Sequence, residues 1–423
     1  MRIAVIGSGI AGLSAARALA GRHHVTVFER ADRPGGHVRT VTVEATGQTL
    51  ALDTGFVVFN RRNYPGLTRL FRELEIETQP SDMSFAVSLD DAGKRIEWAG
   101  GNGILGLFAQ GRRTADPRHW RMLAGILRFN RYARDALARG AVPGTLREFL
   151  RAGGHDRIVA ERYLVPMAAA IWSCPPGRML DAPASSLLAF FRNHGLLEVT
   201  GRPGWRTVRG GSSRYVKRLL ASGGFEVRCG TPVERIDRRG GSPTVEWGGR
   251  RERFDACVLA CHADESLALL ADASPRESRV LGAFRFEDNF AFLHRDPRLM
   301  PVARRAWASW NVRLDTGGGD HAGVAVTYWL NRLQRLGVRE DYFVSLNPAV
   351  RPRQPLAAMR YTHPVLDTAA VAGQRQLPEI QGTGGCVYAG AWTRYGFHED
   401  GFVSGLEAAR RLDVGDNRER AAS

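Results

Sequence analysis

Two groups of residues in this chain are spaced for chemistry. The first group binds. Gly7-Ser8-Gly9-Ile10-Ala11-Gly12 sits between an apolar run, Ile3 to Ile6, and a helix-like stretch, Leu13 to Ala20. In a strand–turn–helix unit Gly7 makes the tight turn, Gly9 lets the backbone approach a pyrophosphate, and Gly12 lets helix and strand pack closely. Ile10 and Ala11 open the helix, whose free N–H groups and partial positive charge favour that anion. A second apolar run, Val25 to Phe28, ends in Glu29, 17 residues past Gly12, with Arg30 next to it. An acid there accepts hydrogen bonds from a ribose and argues against a 2′-phosphate on it. The second group can move protons: His398, Glu399 and His294 are the acid–base candidates. Each has a plainer use, His398 and Glu399 in hydrogen-bonding the ligand or capping a helix, His294 as a satisfied strand histidine.

The next segment narrows the choice of dinucleotide. Arg33-Pro34-Gly35-Gly36-His37-Val38-Arg39-Thr40 resembles the GG motif that follows the first βαβ unit in flavoproteins of the amine oxidase and phytoene desaturase superfamily. The resemblance implies that Gly35 and Gly36 close over the diphosphate of FAD, with Arg39 as counter-charge and Thr40 beside it. An arginine commonly follows the glycine pair directly in that superfamily; here the residue is His37, which leaves open whether His37 or Arg39 meets the diphosphate. Asp53-Thr54-Gly55-Phe56-Val57-Val58-Phe59-Asn60 resembles the segment running beside the flavin ring, with Gly55 against the ring and Phe56 and Val57 in its apolar wall; a simple turn is the alternative. Thr231-Pro232-Val233-Glu234 resembles the segment whose valine backbone meets the adenine.

Near the end, Val387-Tyr388-Ala389-Gly390-Ala391-Trp392 and Gly396 to Ala409 resemble the family's closing strand, loop and helix. Gly390, Trp392, Asp400, Gly401 and Phe402 are carried over as cofactor residues, with the helix N-terminus aimed at the pyrimidine end of the flavin. The wording of PMAAAIWS, LHRD, WASWN, TYWLNRLQ and AGAWTRYGFHEDG resembles a bacterial group of flavin oxidoreductases encoded beside cyclopropane-fatty-acid synthases. That implies an acyl chain as substrate, through dehydrogenation, saturation or double-bond isomerisation, with hydride passing to or from flavin N5. Two other readings are carried: an amine or terpenoid oxidoreductase, and a non-catalytic lipid-binding partner of a fatty-acid methyltransferase. Amine oxidases of the superfamily often place a lysine near the flavin; this chain has only Lys94 and Lys217, neither in the segment concerned, and Phe397 stands where a tyrosine is common.

The 423 residues suffice for two domains and a large core. The net charge of +16 is almost wholly arginine. No nucleic-acid motif accompanies it, so an anionic membrane surface is the expected basic-face partner. The five dispersed cysteines argue against a disulfide framework, and Cys257-Val-Leu-Ala-Cys261-His262 reads as a buried strand rather than a haem site. No apolar run is long enough to span a bilayer, and the expected location is cytoplasmic, peripheral at the inner face of the membrane. No metal site is expected.

The resemblance implies an α/β fold of the amine oxidase-like kind, a discontinuous Rossmann-like FAD-binding domain with an inserted α+β substrate domain. The cofactor domain is expected from residues 1–95, 203–272 and 376–415, the substrate domain from 96–202 and 273–375, and a tail from 416–423. Residues 64 to 76 read as a helix with Leu67, Leu70, Phe71 and Leu74 on one face, and Gly210-Gly211-Ser212-Ser213 as the cap of another. Residues 119–139 read as an amphipathic helix, with Met122, Ile126, Phe129, Ala133 and Leu137 along one stripe among arginines; it suits either a membrane surface or packing within the domain.

Overall fold

The computed structural model describes residues 1–422 except 46, 92, 143, 173–175, 199–200 and 315–323. Short apolar runs ending in glycines become the central parallel sheet: β1 (Arg2–Ile6), β2 (His24–Phe28), β10 (Glu226–Arg228), β14 (Ala256–Leu259) and β20 (Cys386–Tyr388), in the order β10-β2-β1-β14-β20. Ile3, Val5, Val27, Val258 and Val387 are buried with Ala11, Ala15 and Leu19 of helix α1 (Ile10–Leu19) on one face. Near-continuous apolar strands of this kind suit a parallel sheet covered on both sides. Cys257 and Cys386 are paired neighbours in it, so the Cys257–Cys261 segment is the buried strand its composition suggests. Cys174 lies outside the described residues.

A second sheet has seven strands, ordered β19-β15-β18-β17-β16-β7-β8: β7 (Phe85–Asp91), β8 (Lys94–Gly100), β15 (Arg285–His294), β16 (Trp310–Leu314), β17 (Val324–Trp329), β18 (Phe343–Leu346) and β19 (Ala357–Val365). Here the expected boundary moves. Residues 85–95 belong to this inserted sheet, because β7 pairs in parallel with β16, Phe85 opposite Trp310. Residues 275–284 and 368–375 move the other way, since Val280, Leu281, Phe284 and Ala370 pack with Ile6, Phe28 and Leu259 of the cofactor domain.

Smaller sheets complete the frame: the hairpin β3 (Thr40–Ala45) with β4 (Gln48–Asp53); β5 (Val58–Asn60), β9 (Trp205–Val208) and β6 (Thr78–Pro80); and β11 (Arg235–Asp237), β12 (Thr244–Trp247) and β13 (Arg250–Arg253). Leu67, Leu70 and Phe71 of helix α2 (Pro65–Glu73) are buried, as their spacing predicts. Helix α3 (Gly103–Leu107) precedes α4 (Pro117–Ala138), whose Met122, Phe129 and Ala133 enter the core while Ile126 and Leu137 pack against it. That stripe is therefore occupied by the protein and does not lie on a membrane. The last helix runs His398–Ala422, so the expected tail is drawn as its continuation. Among the described residues no helix is long and apolar enough to cross a membrane.

Candidate cofactor and substrate site

The glycine turn lies at the carboxyl end of β1, the crevice where open parallel sheets bind ligands. Gly7 has φ +102°, and a Cβ on Gly12 would lie 1.9 Å from the Gly7 carbonyl oxygen, so neither position accepts a side chain. Gly9 caps α1 with no side-chain hydrogen bond, no acid stands in the first turn, and a Cβ there would meet open space. The first turn at Ile10, Ala11 and Gly12 therefore has no side-chain acceptor of its own, the arrangement an anion completes. Glu29, at the end of β2, accepts from the Ser8 amide (2.9 Å) and hydroxyl (2.5 Å) and from the Ala31 amide (2.9 Å). Thr231 N–H donates to the Glu29 carbonyl at 2.8 Å, bringing the Val233 loop beside that acid. Arg30 points to solvent and pairs with Glu265 at 2.7 Å.

The GG loop folds over this turn. Gly35 N–H donates to the Ser8 carbonyl (3.0 Å), and a Cβ on Gly36 would sit 3.1 Å from Gly9 Cα. Gly55 is glycine for a related reason: a Cβ would lie 2.0 Å from the His37 carbonyl oxygen. The Arg39 carbonyl accepts from Thr54 N–H, and Thr40 Oγ1 donates to Asp53 at 2.6 Å. Asp53, buried completely, also accepts from the Ser212 amide and hydroxyl. Ser212, in the glycine-serine run, is the N-cap of helix Ser213–Ala221; its own side chain makes no cap bond, being held by Asp53, and the Ser213 amide donates to Thr40 Oγ1 at 3.0 Å.

The last helix starts beside α1. A Cβ on Gly401 would lie 2.8 Å from Ile10 Cγ2, one on Gly405 2.1 Å from the Ala11 carbonyl oxygen, and Ser14 Oγ donates to the Phe402 carbonyl at 3.0 Å. Two helix N-termini, with their partial positive charge, thus open side by side. Asp400 caps its own helix by accepting from Phe397 N–H at 2.9 Å, and burial raises its pKa to about 6. Gly390 N–H donates to Ser404 Oγ, and Trp392 Nε1 to the Cys261 carbonyl, locking the closing loop to β14.

The three acid–base candidates separate. His398 stacks on Phe56 (centroids 3.9 Å apart, 12° between planes), and its Nε2 lies 2.6 Å from Tyr215 Oη; desolvation holds its pKa down to about 3. Glu399 accepts from the Gly66 and Leu67 amides at 2.7 and 2.9 Å, so its carboxylate caps α2 rather than facing the crevice. His294 is fully buried at the far end of β15, with Nδ1 accepting from Asp296 N–H and Nε2 beside Ser345 Oγ at 2.8 Å. Seven strand residues separate it from Glu287, which pairs with His363, a run of about 23 Å at ~3.3 Å per residue. His294 is thus a histidine satisfied within its own sheet, far along β15 from the strand position opposite His363.

Two side chains not singled out in the sequence lie beside His37. Tyr361 and His363, two residues apart on β19 and so on one face, both stack on His37, at 5.1 and 5.5 Å. Desolvation, with His363 and His262 adding repulsion, lowers His37 to about 3; desolvation lowers His363 to about 4. His37, His262, His363 and His398 are only half-buried, yet strongly desolvated, the condition of groups lining an internal cleft. Alternation of ring residues in Tyr361-Thr-His363 is the signal that could have found them.

From His363 a cavity of about 360 Å³ continues between helices Pro176–Asp181 and Ala184–Asn193 on one side and β15 and β19 on the other, lined by Trp172, Met179, Leu187, Val365 and Tyr395. Its carboxylates are matched: Asp181 with Arg147, Glu287 with Arg178, Asp367 with Arg285. Helix Val165–Trp172 packs over β16 and β17, so the PMAAAIW segment walls the inserted domain; Ser173 lies outside the described residues.

Comparison with known proteins gives likenesses to one family, one named relative and two solved structures. Residues 10–285 match the family described as flavin containing amine oxidoreductase. A Mycobacterium tuberculosis protein named as a flavin-containing monoamine oxidase, AofH, is 27% identical over 263 residues, 57% of this chain and 53% of its own; the match thus spans about half the length of that relative. Among solved structures, a CLA-producing fatty acid isomerase from P. acnes aligns with TM-score 0.68 at 15% identity, over 97% of this chain and 98% of that one. Cyclohexylamine oxidase from Brevibacterium oxydans IH-35A aligns with TM-score 0.65 at 16% identity, over 98% and 99%. At such identity the structures share the fold.

Proposed function

The chain belongs to the flavin-containing amine oxidoreductase family, whose cofactor is FAD, and from that premise we propose that it is an FAD-dependent oxidoreductase acting on acyl chains of fatty acids or phospholipids. The reaction is dehydrogenation, saturation or double-bond isomerisation. The glycine turn, Glu29 and the GG loop fit the dinucleotide: bare amides at α1, a glycine with open space above it, and an acid at the end of β2. The flavin supplies hydride chemistry when bound.

The cavity beside His363 carries the substrate reading. Its apolar lining suits a hydrocarbon chain. Its three carboxylates are each answered by an arginine, so it holds no free negative charge for an ammonium group. His398 is fixed by Phe56 and Tyr215 and stays neutral. His37 and His363 exclude water between the cofactor segments and the cavity and keep neutral imidazoles at its inner end, where His363 can take or return a proton.

The named relative supports a second reading, oxidation of amines, and a third keeps the chain as a lipid-binding partner of a fatty-acid methyltransferase. One anaerobic experiment separates them: the visible absorbance of FAD-loaded protein mixed with dispersed lipids bearing unsaturated, methyl-branched or cyclopropane chains, with an amine panel alongside. Bleaching by lipid alone is the expected result. Bleaching by amines alone overturns the acyl reading. If nothing bleaches, recovered lipid with a moved or saturated double bond sustains it, and unchanged lipid that co-purifies with the methyltransferase favours the binding partner.

A further inference from the structure

We propose that the surface formed by α3, the segment before α4 and the loop at Val302 docks on an anionic phospholipid bilayer. The site rests on the reading that the substrate is a lipid, but on different residues. The stripe of α4 that would have suited a membrane is buried, yet other apolar side chains of the same region face outward. Ile104 is 71% exposed, Leu105 64%, Val302 75%, Trp120 52% and Leu127 56%.

The fold holds these residues out rather than leaving them by accident. Helix α3 lies flat on β8: a Cβ on Gly106 would sit 2.9 Å from the Ala99 carbonyl oxygen, so its other face, with Ile104 and Leu105, turns away. Asn102 Nδ2 donates to the Trp307 carbonyl at 2.8 Å, tying α3 to the Val302 loop. Buried Glu97 accepts from the Val302 and Ala303 amides at 2.8 and 2.7 Å, fixing that loop with Val302 outermost. Phe108, directly after α3, packs at a tilt against Trp120 with ring centroids 4.9 Å apart, and Leu127 follows two helical turns later on the same face of α4.

Charge selects the partner. Arg112, Arg118, Arg131 and Arg305 are exposed around these side chains, and no ion pair joins any of them to a carboxylate among the described residues, whereas Arg113 is held by Asp116 and Arg121 by Asp156. Single protruding apolar side chains, an edge-placed tryptophan and unpaired arginines form no groove for a protein segment. They match the chemistry of a bilayer interface, where an indole sits at headgroup depth, arginines meet lipid phosphates and short apolar side chains enter the acyl boundary.

Vesicle flotation of the FAD-loaded full chain tests this, with phosphatidylcholine vesicles compared against vesicles containing phosphatidylglycerol. Binding is expected only with phosphatidylglycerol and is expected to fall with salt. Arg112→Gln with Arg118→Gln is expected to weaken it about thirtyfold, and Ile104→Ser with Leu105→Ser to weaken it comparably, both variants keeping the wild-type flavin content and melting temperature. Equal binding to phosphatidylcholine alone, or wild-type binding by both variants, overturns the proposal. So does absence of vesicle binding with a concentration-dependent dimer that Ile104→Ser with Leu105→Ser dissolves, which would give the face to a second copy. Turnover of detergent-dispersed lipid without vesicle binding sinks the docking surface alone; vesicle binding without lipid turnover sinks the substrate reading alone.

Discussion

Tyr215 and His398, 183 residues apart in the chain, meet with Oη and Nε2 at 2.6 Å. Burial raises the phenol's pKa well above its usual value and lowers the imidazole's to about 3, so both stay neutral and share a hydrogen bond whose direction is set by the imidazole tautomer. Tyr215→Phe leaves that nitrogen without a partner and is expected to cost about 1–3 kcal/mol of stability, read by urea denaturation. His398→Ala is expected to weaken FAD binding about tenfold, the loss of one net hydrogen bond with its stacking support. An unchanged FAD affinity would leave His398 as packing for Phe56 only.

Glu399 fastens the last helix to α2 through the Gly66 and Leu67 amides. Glu399→Ala removes the acceptor for both and is expected to destabilise the protein by about 1–3 kcal/mol. Glu399→Gln is expected to leave the rate of flavin reduction unchanged. A lost reduction rate with stability intact would return Glu399 to the reacting centre.

The parts that were legible in the sequence are those where local chemistry dictates the backbone. Gly7 is required by the positive φ of its turn, Gly12 by the Gly7 carbonyl across that same turn, and Leu67, Leu70 and Phe71 by one helical face. What escaped depends on contacts distant in sequence. Nothing near Ser212 shows that Asp53, 159 residues away, holds its amide and hydroxyl. Phe85 to Asp91 alternates like any strand, and only its pairing with β16 assigns it to the inserted sheet. Likewise His294 and His363 lie on neighbouring strands, and the direction of each strand decides which one reaches His37.

A buried ionic knot joins three parts of the cofactor domain. Arg238 donates to Glu277 at 2.6 and 3.0 Å, and Tyr388 Oη donates to Glu277 at 2.6 Å. Burial pushes the Glu277 carboxyl up, but hydrogen bonds from Arg238, Tyr388 and Ser274 outweigh it and bring the pKa to about 2. Glu277→Ala leaves the guanidinium short of its main partner and is expected to cost about 3–5 kcal/mol, measured by denaturant midpoint at constant slope. Arg238→Met with Glu277→Leu is expected to recover part of that loss, since the pair's desolvation disappears with it. A double variant no more stable than Glu277→Ala would show that Tyr388, left with an unpaired hydroxyl, dominates.

Stability is expected to fall as pH drops from about 6.5 toward 4. Desolvation holds His37 and His398 to about 3 and His194, His294 and His363 to about 4, against an ordinary value of 6.5. In that window the unfolded chain takes protons that the folded protein refuses. The stability tied to these groups is therefore complete above 6.5 and lost below it, by up to about 1.4 kcal/mol per pH unit for each. Asp53 and Asp400, raised by burial from 3.8 to about 6, act in the opposite sense, binding protons more tightly when folded. Glu399, also raised by burial, acts with them, while His119, His155 and His262, also lowered by burial, act with the five, so the histidines prevail. Urea midpoints of the FAD-loaded protein at about pH 7.5, 6.5 and 5.5 are expected to decline in that order, and His363→Gln to make the decline shallower. A midpoint that holds or rises on acidification would mean that these imidazoles are already protonated in the folded state, with the cofactor's diphosphate as their counter-charge.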